Sequence, residues 1–99
     1  MSTLLEALKT RWADIYSRLA AGEDCPPGLL LRTEGLMEAA LLQGEGSETE
    51  IQLAMAASYQ RCFGRDLADD FGEDWADFHP FPQIPARMAR APVFPSTRD

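Results

Sequence analysis

Residues 47–64 read SETEIQLAMAASYQRCFG, and they are signed at both ends as a helix. Ser47 and Glu50 form an S-x-x-E capping box, in which each side chain satisfies a backbone N–H that the first helical turn leaves unpaired. Gly64 supplies a residue that takes positive φ without penalty and so stops the helix. Between them Ile51, Met55, Tyr59, Cys62 and Phe63 recur at spacings of three and four, which places them on one face. Thr49, Gln52, Gln60 and Arg61 lie largely off that stripe. This pattern predicts a core helix, and a core helix sets a fold without naming a chemistry.

Upstream, Leu5, Leu8, Trp12, Ile15, Tyr16 and Leu19 make a continuous apolar stripe. They predict a first helix over residues 3–21, ended by Gly22. Asp14 and Arg18 stand in the favourable i,i+4 order for an ion pair. The turn Glu23-Asp24-Cys25-Pro26-Pro27-Gly28 follows, its prolines holding the backbone extended. A second helix is expected from Gly28 or Leu29 to Gln43. Leu30, Thr33, Met37, Ala40 and Leu41 line one face of it, and Leu29, Leu31, Leu36 and Leu42 widen that face. Such breadth predicts contact on two sides. Gly35 costs this helix about 1 kcal/mol against alanine, and it reads either as room for close approach of a neighbouring helix or as neutral drift. Gly44-Glu45-Gly46 links it to the capped helix. Three helices on short loops predict an all-α, small antiparallel up-down bundle. No period-two run of β-branched residues points to a strand.

The character changes after Gly64. Residues 65–78, RDLADDFGEDWADF, carry six carboxylates and one arginine. On a helical grid Leu67, Phe71, Trp75 and Phe78 share one face, while Asp66, Asp70, Glu73, Asp74 and Asp77 share another. A short acidic helix is expected here, begun by Asp66 as N-cap and open to interruption at Gly72. Residues 79–99, HPFPQIPARMARAPVFPSTRD, hold five of the seven prolines and three arginines. That proline density excludes a long helix and predicts an extended arm. The expected organisation is therefore a helical domain at 1–78 and an arm at 79–99. The arm either packs on its own bundle, with Arg87 and Arg90 pairing with the acidic segment, or docks on another chain.

Composition limits the function. A net charge of −7 over 99 residues opposes direct nucleic-acid binding and adhesion to anionic lipid, both of which require a basic face. No apolar run approaches the roughly 20 residues of a membrane span. The first residues enter an amphipathic pattern without a basic and then apolar leader, so a cytoplasmic location is expected. Cys25 and Cys62 belong to no C-x-x-C pair and are too few for a disulfide framework. The carboxylate run does not match the ligand order of a calcium loop. It also lacks the Glu-x-x-His of a di-iron helix, and His79 is the only histidine, so neither metal nor cofactor is expected. No nucleophile elbow or phosphate loop accompanies His79, and an enzyme is not expected.

What remains is the chemistry of the last third. Disordered segments are poor in large apolar residues, yet Phe81, Ile84, Met88, Val93 and Phe94 stand among its prolines. Aromatics and arginine dominate interface energetics, so the candidate partner-binding residues are Trp75, Phe78, Phe81, Arg87, Arg90 and Phe94. The leading expectation is a small accessory or adaptor protein that binds another protein or, by exchanging arms, a second copy of itself. The alternative is an acidic regulator that occupies the basic site of a nucleic-acid-binding protein.

Overall fold

The structure, a computed structural model, describes residues 3–86. It is mostly helical, and no strand occurs among the described residues. Three main helices pack together: α1 (Leu4–Ala20), α2 (Pro27–Leu42) and α3 (Glu48–Phe63). Two short helices follow, α4 (Leu67–Phe71) and α5 (Trp75–Phe78). No described helix is long and apolar enough to cross a membrane.

Helix ends are set by local chemistry. The α3 start has both halves of its capping box: Glu50 N–H donates to Ser47 Oγ at 3.1 Å, and Ser47 N–H donates to Glu50 Oε1 at 2.8 Å. Its end is Gly64 at φ +74°, in the left-handed region where a Cβ is strained. Thr3 caps α1 by accepting from Glu6 N–H at 3.0 Å. A second cap comes from far along the chain. The Glu45 carboxylate, in the α2–α3 turn, accepts from Leu5 N–H at 2.9 Å and Leu4 N–H at 3.3 Å. A carboxylate at a helix N-terminus satisfies orphan donors and complements the dipole, so one side chain ties the turn to the start of α1. The α2 start differs: Pro26 stands at its N-cap with no side-chain cap bond, and Pro27 opens the helix. Proline suits that place because the N–H it lacks would have no helical acceptor.

Helix α1 sits centrally, packing along both α3 and α2, whereas α2 and α3 meet only briefly. Leu8, Trp12, Ile15 and Tyr16 of α1, Met37 and Ala40 of α2, and Ile51, Met55 and Tyr59 of α3 are buried in one cluster. Leu67 and Ile84 complete it from the C-terminal third. Trp12 is wholly enclosed, and its Nε1–H has no acceptor among the described residues, so it contributes as bulk. The polar core residues Thr33 and Ser58 are satisfied at hand: Thr33 Oγ1 donates to Leu29 O at 2.7 Å, and Ser58 Oγ accepts from Arg61 at 3.1 Å. Exposed Asp14 and Arg18 pair at 2.9 Å.

Candidate interaction surface

The segment after α3 is held by one carboxylate. Asp70 receives both nitrogens of the Arg65 fork, Nε at 2.9 Å and Nη2 at 3.0 Å, and also the Tyr59 hydroxyl. Two parallel N–H···O bonds fix orientation as well as distance, so this pair locks α4 to the end of α3. The bond to Asp70 raises the Arg65 pKa further above its already high value. At the α4 start, Asp66 N–H donates to Asp69 Oδ2 at 3.1 Å.

An aromatic stack fills the space beneath. Tyr59 and Phe63 are stacked with centroids 4.3 Å apart. Tyr16 meets Tyr59 edge-on at 5.0 Å, and Phe71 meets it edge-on at 6.0 Å. His79 closes the series edge-on to Phe71 at 5.7 Å. Such arrangements match the ring quadrupoles and contribute about 0.5–1.5 kcal/mol per pair beyond area burial. Burial, then the neighbouring Tyr59 and Cys62, pushes the Tyr16 hydroxyl well above its ordinary pKa. Burial also raises the Cys25 thiol.

Gly72 ends α4 at φ +95°, a conformation that side chains other than glycine rarely adopt. The helical grid is interrupted there, and the expected common face of Leu67, Phe71, Trp75 and Phe78 is lost. Leu67 is buried, Phe71 and Trp75 are half-buried against the core, and Phe78 is 69 % exposed. Glu73, Asp74 and Asp77 around it are exposed as well. Asp70, expected on the solvent face, is instead half-buried between Arg65 and Tyr59.

Beyond α5 the chain returns to the bundle. Gln83 N–H donates to Pro80 O at 2.8 Å in a turn that includes the cis Phe81–Pro82 peptide. Phe81 is half-buried against the core, and Ile84 and Pro85 are buried. Ile84 N–H donates to Glu34 Oε2 of α2 at 3.1 Å, and the Tyr16 hydroxyl of α1 donates to Pro85 O at 3.3 Å. Residues 84–85 therefore strap α1 to α2.

Of the candidate partner-binding residues, the structure places Trp75 and Phe81 against the core and turns Phe78 outward. Arg87, Arg90 and Phe94 lie outside the described residues, as do Met88 and Val93. Asp70, Glu45 and Glu34 are the residues that sequence reasoning missed. Only Asp70 had a signal nearby, since a tyrosine on an apolar stripe needs a partner for its hydroxyl. Among the described residues no group of three or more His, Cys, Asp or Glu side chains is arranged to hold a metal ion. No family model, curated protein or solved structure matches the chain.

Proposed function

We propose that this chain is a non-enzymatic interaction module, a small cytoplasmic accessory or adaptor protein. Its contact surface is centred on Phe78 and continues into the C-terminal arm through Arg87, Arg90 and Phe94. The architecture that goes with this proposal is an antiparallel bundle carrying a short acidic helical segment and an extended proline-rich arm. One observation carries it: Phe78 is 69 % exposed on a helical turn whose neighbours Trp75 and Phe81 are held by the core. A large aromatic presented on a supported turn loses little conformational entropy on docking, and aromatics are enriched among the residues that dominate binding energy.

The test is retention of a partner by the intact chain, by Phe78→Ala, by a chain ending at Ala86, and by Leu53→Ala as a control on a distant exposed leucine. The proposal expects one stoichiometric protein on the intact chain and the Leu53 variant, weakened or lost on the other two. Equal retention by all four overturns it. Because Ile84 and Pro85 are buried, the informative truncation lies after Ala86 rather than after Phe78.

The exposed carboxylates Glu73, Asp74 and Asp77 support a second reading, in which the same surface occupies a basic nucleic-acid-binding site. Salt separates the two. Contact through carboxylates weakens steeply as ionic strength rises, whereas contact through Phe78 changes little.

A further inference from the structure

The strap at residues 84–85 is held in the manner of a bound peptide. The pair lies against α1 and α2 and belongs to no helix or strand itself. Ile84 is 6 % exposed, and Pro85 is fully enclosed. The bonds that hold its main chain come from side chains on two different helices. Glu34 of α2 accepts the Ile84 N–H at 3.1 Å, and Tyr16 of α1 donates to the Pro85 carbonyl at 3.3 Å. In peptide recognition such main-chain bonds give affinity, and side-chain pockets give specificity.

The groups on offer select a particular ligand. An aliphatic-proline pair presents an N–H at its first residue and none at its second. Any residue but proline in second place would carry an N–H into the enclosed site, where an unmet donor costs affinity. A polar residue in first place would be buried against the core cluster that Ile84 joins. Little else fastens the strap. Among the helices α5 lies close to α4 and to none of the three main ones. After α5, Phe81 and Pro82 are half-buried, while Pro80 and Gln83 are exposed. A short insertion on a tether owes its occupancy to high effective concentration, and the same chemistry on another chain competes for the same groups.

We infer that the groove between α1 and α2 at Tyr16 and Glu34 is a peptide-binding site for an extended aliphatic-proline pair, and that residues 84–85 are its occupant in cis. The ligand in trans is a segment of another protein that carries such a pair and seats when the strap withdraws. Glu34 then accepts the N–H of its aliphatic residue, and Tyr16 donates to the carbonyl of its proline. The site uses none of Phe78, Arg87, Arg90 and Phe94, so it and the Phe78 surface can fail separately.

The probe is the capped peptide Phe-Pro-Gln-Ile-Pro-Ala, the sequence of residues 81–86. The host is the full chain with Ile84→Asp, which sets a second carboxylate beside Glu34 and expels the strap. Circular dichroism checks that this host is folded. If it is not, Ile84→Ala takes its place, because it keeps both main-chain bonds and only loosens the strap. An NMR titration that follows the Tyr16 and Glu34 amides should saturate with a dissociation constant on the order of 1 mM. The unsubstituted chain should bind the peptide about tenfold more weakly, since its own strap competes. Serine for the peptide's isoleucine, or alanine for its second proline, should each weaken binding by about tenfold. Methylating the isoleucine nitrogen removes the donor to Glu34, so its penalty should vanish once Glu34→Ala is added to the host. No saturation by about 10 mM peptide in a folded host overturns the site. So does binding that ignores the isoleucine and the proline, or that is equal with and without the strap in place. A methylation penalty undiminished by Glu34→Ala overturns the part assigned to Glu34.

Discussion

Helices α2 and α3 flank the same central helix and have the same length, 16 residues, yet they are stabilised in opposite ways. Helix α3 has a complete capping box, acidic residues in its first turn, Arg61 in its last and a left-handed glycine to end it. Each of these features lies within a few residues of the bonds it satisfies. Helix α2 has no side-chain cap, no acidic residue in its first turn and no basic residue in its last. Its stability rests on packing, on α1 at one side and on the strap at residues 84–85, which reaches it through Glu34. A helix held locally tolerates an open outer face. Helix α2, held by packing, nevertheless exposes Leu31 and Leu42.

The most severe way to break this contrast is to cut the core from either side. Met55 of α3 and Met37 of α2 are both fully buried. Met55→Ala and Met37→Ala should each cost about 2–5 kcal/mol in urea denaturation, since truncating a buried methionine loses transfer energy and leaves a cavity. If Met37→Ala costs far less, or broadens the transition, α2 opens separately from α1 and α3.

Next in size is Tyr16, which joins the two flanks by meeting Tyr59 of α3 and bonding the strap at Pro85. Tyr16→Phe keeps the ring contacts and leaves a buried carbonyl without its donor, at an expected cost of about 1–2 kcal/mol. Its pH signature is specific. Burial raises the folded-state pKa of Tyr16 above the ordinary value of 10.0, so the unfolded chain releases this proton first. The protonated hydroxyl's contribution is complete below about pH 10 and is lost as pH climbs from there toward the folded-state value. The wild type should therefore lose stability more steeply than Tyr16→Phe in alkaline denaturation. Parallel slopes would show that the hydroxyl is not enclosed.

A smaller effect tests the caps. Ser47→Ala removes one half of the α3 box and should cost about 1 kcal/mol. Pro26→Ala removes no cap bond from α2 and should cost only about 0.5 kcal/mol, through a freer unfolded chain. Equal losses in thermal melts would mean that α3 does not depend on its caps more than α2 does.

How far these differences were legible follows from their range along the chain. The capping box, the Gly64 stop and the stripe of Ile51, Met55 and Tyr59 are patterns of near neighbours, and periodicity finds them. The breadth of α2 was legible as an excess of leucine, but the contact on two sides that it predicted does not extend to Leu31 and Leu42, which are exposed. The bonds that arrange the helices were not legible. Glu45 reaches Leu4 and Leu5 from 41 and 40 residues away, and Glu34 meets Ile84 across 50. No local spacing announces a carboxylate that will cap a distant segment. At the candidate surface, aromatic content drew notice to Trp75, Phe78 and Phe81 but did not separate them. The face shared by Leu67 and Phe78 presumed an unbroken helix, and Gly72 breaks it. Once the grid restarts at α5, two of the three aromatics turn inward and one turns out.

The finest discrimination between the two helices comes from one substitution made in each. Gly64 of α3 sits at φ +74° with open space where a Cβ would go, so Gly64→Ala meets no atom and is penalised by backbone conformation alone. That penalty is about 1 kcal/mol, the cost of placing an L-residue in the left-handed region. Gly35 of α2 also has open space around it, but its backbone is an ordinary right-handed helix. There Gly35→Ala gains helix propensity and should stabilise the folded monomer by about 0.5–1 kcal/mol. The same change, glycine to alanine, should thus lower one melting temperature and raise the other. If Gly35→Ala also destabilises the monomer, something within the chain already presses on that position, and the open face of α2 is not open.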